Sequence, residues 1–233
     1  YRKQCYHSYE SRLEVLTKLK DLIISHEKVI EEALFKDLGK GRFESHISEI
    51  DFTVSEINHL IKNLKFLMRP KKVKSPLAHF PSKSYIYKEP IGKVLVISPW
   101  NYPFQLLISP AVGALAAGNT VVLKPSEIAS ETSKVVSKLI NDNFNENLIV
   151  SIQGGVEETT LLLDNKFDHI FYTGNSTVGR IVAKKAAKFL TPITLELGGK
   201  SPCFIFGDVD LNIAAPSAPA TGWRSMKTAI VLY

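Results

Sequence analysis

From residue 93 to residue 195, short apolar runs alternate with helical stretches, and polar residues or glycine follow each run. The runs are Lys93–Ile97, Thr120–Leu123, Leu148–Ile152, His169–Tyr172 and Ile193–Leu195. Between them, helical patterns cover Gln105–Ala117, Glu131–Asn141, Glu157–Leu163 and Ser176–Phe189. Strands without polar alternation have no face to give to water, so they require a parallel sheet covered on both sides. The expected fold class is therefore α/β, a Rossmann-like doubly wound parallel sheet occupying residues 84–199. Ser84–Lys88 alternates instead and reads as an edge or protruding strand.

The preceding segment, residues 1–83, predicts helices that pack on the sheet domain. Leu13, Leu16, Leu19, Leu22 and Ile23 recur at steps of three and four, which puts them on one helical face. The pattern continues through Val29, Ile30 and Leu34 and stops near Gly39–Gly41. A second helix is marked by Ile50, Val54, Ile57, Leu60, Ile61, Leu64 and Leu67, ending before Pro70. Residues 69–83 are rich in proline, lysine and serine and read as a connector.

Charge and cysteine content exclude several classes. A net charge of +6 comes largely from lysines spread along helices. The basic run Arg69–Lys74 reads as a solvated loop beside proline, so no nucleic-acid partner is expected. The two cysteines, Cys5 and Cys203, cannot make a disulfide framework, and no Cys/His spacing suggests a metal. A reducing, cytoplasmic setting is expected. No apolar run is long enough to span a bilayer, so a membrane is not indicated.

In a doubly wound sheet, ligands bind where strands end and helices begin. Ser98-Pro99-Trp100-Asn101-Tyr102-Pro103 follows the first run, Lys124-Pro125-Ser126-Glu127 the second, and Gly154-Gly155 the third. Thr173-Gly174-Asn175-Ser176 follows the fourth and Glu196-Leu197-Gly198-Gly199-Lys200 the fifth. The segment Gly174–Gly179 offers backbone amides at a helix start, suited to phosphate, or is a plain glycine turn capped by Ser176. Lys124 and Glu127 pair a donor with an acceptor, able to hold two ribose hydroxyls or to form an exposed ion pair. Asn101 is a neutral donor for an oxyanion, or a turn asparagine. Glu196 is a partly desolvated general base, or a salt-bridged strand-end glutamate.

Taken in order, Pro99-Trp100-Asn101-Tyr102-Pro103, Lys124-Pro125-Ser126-Glu127, Phe171-Tyr172-Thr173-Gly174-Asn175 and Leu195-Glu196-Leu197-Gly198-Gly199-Lys200 resemble the motifs of the aldehyde dehydrogenase superfamily. Gly154–Thr160 and Lys200–Cys203 resemble its class 3, or fatty-aldehyde, branch. The resemblance runs from near residue 8 to about residue 215 and corresponds to the N-terminal half of a usual member. It implies an NAD-binding domain over 84–199, with NADP also accepted, and oxidation of medium- or long-chain aldehydes to acids. Asn101 and Glu196 are then the catalytic candidates, as oxyanion donor and general base. The implied cofactor residues are Ser98, Pro99, Trp100, Lys124, Glu127, Gly174, Asn175, Ser176, Gly179 and Leu197. A homodimer is implied, with 84–88 as part of its bridging strand.

The implied mechanism needs a cysteine thiolate to attack the aldehyde, and the family carries it about as far beyond Glu196 as Ile230 lies. No cysteine stands there. Cys203, within Cys203-Phe204-Ile205-Phe206, reads as a buried strand residue, and Cys5 has no base nearby in sequence. Residues 200–233 read as the start of a catalytic domain with a divergent tail from Pro216, where prolines interrupt the helix expected after Leu211. A shifted reading frame followed by a stop, a truncated or altered chain, or a genuinely short protein would each give such a tail. The expectation is a dehydrogenase by family whose chain, as given, lacks activity. The alternatives are a non-catalytic NAD(P)-binding protein and a family member with a different reaction, such as an acylating or semialdehyde dehydrogenase.

Overall fold

The computed structural model describes residues 8–200 and Asp210, and the backbone of 203–205 and 229–231. Four helices come first: α1 (Tyr9–Ser25), α2 (Glu27–Leu38), the single turn α3 (Arg42–Ser45) and α4 (Phe52–Leu67), with a π-helical turn over His46–Asp51. Ser8 starts α1 by accepting the Ser11 N–H at 3.1 Å, and Gly39 ends α2 in the left-handed conformation at φ 63°. The apolar pattern of residues 13–34 is split between α1 and α2 at His26, whose backbone (φ −108°, ψ 12°) leaves the helical region. Side-chain periodicity survives such a break, so the pattern alone does not reveal it.

The expected connector contains structure. Strand β1 (Lys71–Val73) pairs antiparallel with β2 (Ser84–Ile86), forming a two-stranded ribbon apart from the main sheet, with a 3₁₀ turn over Leu77–His79 between them. Three residues are too few for a periodicity signal. Ser84–Ile86, within the 84–88 strand expected at an edge or protruding, lies outside the main sheet, and its partner comes from the basic run.

The main sheet holds β3 (Lys93–Ile97), β4 (Thr120–Lys124), β5 (Ile149–Ser151), β6 (His169–Gly174) and β7 (Ile193–Leu197). Their order is β5-β4-β3-β6-β7, every pairing parallel. The intervening helices are α5 (Gln105–Ala116), α6 (Ser130–Asn141), α7 (Val156–Leu163) and α8 (Ser176–Ala187). All strands and helices of this half lie within a few residues of their expected positions. Beyond it, β8 (Cys203–Ile205) pairs parallel with β9 (Ala229–Val231). The burial expected of the Cys203 side chain and the form of residues 216–228 lie outside the described residues.

Alternate residues of β3 face opposite cores, which explains its unbroken apolar character. Val94 and Val96 join α1, α2, α4, α5 and α6 in one core, while Leu95 and Ile97 meet Leu163, Phe167, Val182 and Ala186 in the other. The N-terminal helices form an outer layer over α5 and α6. They also bring charged groups to the ends of those helices. Asp37 accepts the Glu131 and Thr132 N–H groups at 3.0 and 2.7 Å, capping α6, whose own N-cap residue is Ala129. Buried Arg12 donates to the Ala116 carbonyl at 3.2 Å at the end of α5.

Candidate functional site

The chain runs outward from β3 to β4 and β5, then returns to place β6 and β7 on the other side of β3. This reversal puts a crevice at the carboxyl ends of β3 and β6, the place where open α/β sheets bind ligands. Register aligns the strand ends there. Ile97 lies opposite both Lys124 and Tyr172, Thr173 opposite Glu196, and Gly174 opposite Leu197. Residues from four separate sequence motifs therefore occupy one edge of the sheet.

At the crevice, Ser98 is buried, its N–H donates to the Lys124 carbonyl at 3.2 Å, and its hydroxyl is buried without a protein partner. The Thr173 hydroxyl on the facing strand is buried and unpartnered too. Buried hydroxyls are usually satisfied, so two orphans at a switch point fit a polar ligand. Pro99 and Asn101 are partly buried, and Trp100 is exposed.

The turn after β6 is built to be close to its neighbours. A Cβ at Gly174 would lie 2.3 Å from the Tyr172 hydroxyl, which itself donates to the Asn175 carbonyl at 3.2 Å. Asn175, not Ser176, caps α8: its Oδ1 accepts the Val178 N–H at 2.9 Å, leaving Ser176 as the first helical residue. Asparagine takes the position because its extended backbone (φ −82°, ψ 157°) aims the side chain along the helix start. Gly179 lets α8 approach β7, since a Cβ there would come within 2.9 Å of a Leu197 methyl. Gly179 and Leu197 are thus joined by packing.

Lys124 is only 2% exposed, although an exposed pair was one reading of its motif. Its ammonium donates to the Pro125 carbonyl at 2.8 Å and lies 3.6 Å from Glu127, whose side chain is about half exposed (48%). Burial pushes the Lys124 pKa down from the usual lysine range, while Glu127 and, further off, Glu158 pull it back. A hydrogen bond from its own backbone, and then one from the Gly155 N–H at 2.7 Å, hold the Glu158 carboxyl below the usual range. Sequence spacing gave no sign of Glu158, which sits in the helix after Gly154-Gly155.

Glu196 is exposed, against the expected partial desolvation. It stands on β7, the edge strand, where no described residue covers it. Near Asn101, the structure adds a pair that the sequence did not announce. Glu49 and Lys40 are both fully buried and form an ion pair. Glu49 Oε2 accepts the N–H groups of Phe104 and Gln105 at 2.9 and 3.0 Å, and the Lys40 ammonium lies 3.9 Å from the centroid of the Tyr102 ring. Burial raises the Glu49 carboxyl pKa, opposed by Lys40 and by those two amides.

Gly174, the α8 start, the orphan hydroxyls and the Lys124–Glu127 pair together fit a dinucleotide laid across the crevice. The model of the aldehyde dehydrogenase family matches residues 6–227. The chain belongs to that family. The match passes residue 215, so the resemblance extends further into the tail than its motifs indicate. Among curated relatives, aldehyde dehydrogenase family 3 member A2 of Macaca fascicularis is 48% identical over 202 residues, covering 87% of this chain and 42% of the relative. The 4,4'-diaponeurosporen-aldehyde dehydrogenase of Staphylococcus aureus is 47% identical over 204 residues, covering 88% and 44%. The solved substrate-bound Staphylococcus aureus AldH superposes with a TM-score of 0.92 at 41% identity, covering 99% of this chain and 52% of that one. A Mycobacterium tuberculosis aldehyde dehydrogenase complexed with NAD+ superposes at 0.74 with 28% identity, covering 88% of this chain and 42% of that one. The chain spans less than half the length of the curated relatives it matches. Among the described residues, no helix is long and apolar enough to cross a membrane.

Proposed function

We propose that this chain is the dinucleotide-binding half of a family 3 aldehyde dehydrogenase that oxidises medium- or long-chain aldehydes to acids with NAD, and with NADP as a second cofactor. The observation that carries the reading is the strand-order reversal, whose register brings Ser98, Lys124, Thr173 and Gly174 to one edge of the sheet. Lys124 and Glu127 would hold the ribose hydroxyls, the amides at Gly174–Ser176 would take the phosphates, and the backbone at Leu197 would bond the nicotinamide amide. Ser98, Pro99 and Trp100 line the same side, and Gly179 keeps α8 close enough for the turn to form. When bound, the cofactor would accept the hydride that leaves the aldehyde carbon after a cysteine thiolate of the whole protein has added to it, leaving a thioester for water to hydrolyse. Asn101 donates a hydrogen bond to the oxyanion developing on the aldehyde oxygen, and Glu196 takes the proton from the hydrolytic water. An exposed Glu196 suits that task once a substrate-bearing half covers it.

Residues 1–233 by themselves bind NAD without turnover, because neither Cys5 nor Cys203 follows Glu196 at the family's nucleophile distance. The whole protein is a cytoplasmic homodimer that uses the ribbon residues Tyr85, Ile86 and Tyr87, all exposed, as contact. Calorimetric titration of the chain with NAD tests the central reading. Saturable binding that Lys124→Met weakens at least about tenfold, the worth of a charge-assisted hydrogen bond, supports it. Absence of binding at millimolar NAD refutes it.

A further inference from the structure

Helix α5 begins without a cap of its own: its N-cap position is Phe104, no side chain bonds to its free amides from within the loop, and its first turn holds no acid. Helix starts leave N–H groups that must be satisfied, above all when buried. Here the acceptor is Glu49, 55 residues away in sequence from Phe104. A serine or aspartate in the loop itself would cap the helix more simply. A buried carboxylate–ammonium pair is also a poor source of stability, since desolvation offsets most of the attraction. What the pair does supply is position. Glu49 fixes the Phe104 and Gln105 amides, Lys40 lies against the face of Tyr102, and both contacts fall immediately after Asn101.

The carboxylate is itself held from behind. Lys40 pairs with its Oε1, and Thr53 donates to the Glu49 carbonyl at 2.6 Å, anchoring the π-helical turn in which Glu49 sits. Such turns insert an extra residue per turn and re-aim the side chains around them. We propose that Glu49, tethered by Lys40, is a positioning residue for the 101–105 loop, setting the direction in which the Asn101 amide is presented. The consequence for catalysis rests on the reading of Asn101 as the oxyanion donor. The positioning itself does not.

Hydrogen exchange on the present chain tests it, with the amides of residues 101, 102 and 104–106 compared against Val96 and Leu123 in the central strands. Glu49→Ala should speed exchange at Phe104 and Gln105 about tenfold, the loss of one hydrogen bond to a charged group, with the strand amides changed less than about twofold. Glu49→Gln should restore most of the protection, because its amide oxygen still accepts. Uniform acceleration across the sheet would make the pair a general structural prop and overturn the proposal. So would unchanged exchange in the loop, or failure of glutamine to rescue. If Glu49→Ala does not fold, Lys40→Met carries the test: the carboxylate stays but loses its tether, and the same two amides should still exchange several-fold faster while the strands do not. The Asn101 reading is tested separately, by Asn101→Ala in the full-length gene product, where kcat should fall with little change in the KM for NAD. Either result can fail without the other.

Discussion

Replacing Lys124 by methionine should stabilise the fold while weakening dinucleotide binding. The ammonium is 2% exposed, yet its carboxylate partner Glu127 is about half in water at 3.6 Å. At an effective dielectric near 20 the bare attraction over that distance is about 4–5 kcal/mol. Solvent around Glu127 screens much of that, and pairs with an exposed member usually return no more than about 1 kcal/mol. Removing the ammonium from water costs several kcal/mol, only partly offset by its bond to the Pro125 carbonyl. The downward pKa of Lys124 has the same sign: burial outweighs Glu127. A methionine fills the same volume without the charge, so a gain of about 1–2 kcal/mol is expected near neutral pH, or roughly 2–8 °C in Tm for a chain of this size.

The pH dependence checks the cause. With its folded pKa lowered, Lys124 binds fewer protons in the folded than in the unfolded state between that pKa and the unfolded value near 10.5. Wild-type stability from this group is therefore penalised below the window and recovers as pH rises through it. The advantage of Lys124→Met should shrink accordingly from neutral to alkaline pH, as followed by thermal melts in matched buffers. A variant that melts below wild type at neutral pH would refute the reasoning. An advantage independent of pH would show that its source is not the charge.

Other perturbations separate the layers of the fold. Asp37→Ala removes both acceptors from the start of α6 and should cost about 1–2 kcal/mol in urea unfolding, with NAD affinity unchanged. Gly118→Ala meets two obstacles, a φ of +87° and a Cβ position 2.6 Å from the Arg12 guanidinium, and should destabilise by about 1–3 kcal/mol in the same assay. Glu196→Gln should leave the melting curve within about 0.5 kcal/mol of wild type, because the side chain is exposed, and should leave NAD binding intact. A marked loss of stability there would show that Glu196 has a structural partner.

The doubly wound sheet was legible because its signal is local. A strand buried on both faces must be apolar throughout, as in Val94–Ile97, and the glycines and polar residues after each strand mark where the chain turns. The order of those motifs along the chain likewise puts them at the carboxyl ends of neighbouring strands, where the register aligns them. What remained hidden depended on residues far apart in sequence. The split between α1 and α2 leaves the apolar period intact. Strand β1 acquires meaning only beside β2. Whether the Lys124–Glu127 motif is exposed or buried is decided by the neighbours of β4, not by its spacing.

Charges show the division most clearly. In the sequence, Arg12, Asp37 and Glu49 are ordinary charged residues of helical stretches and Lys40 stands between two glycines, none distinguishable from charges that face solvent. Tertiary packing brings Arg12, Asp37 and Glu49 to the ends of α5 and α6, where unpaired backbone groups need them, and sets Lys40 against Glu49. The sequence alone determined which segments form strands and helices and where polar turns lie, because those follow from short-range sterics and hydrophobic period. Only the folded structure decided which charges are buried and what they hold, because a hydrogen bond is set by ångström distances between groups that the chain separates by tens of residues.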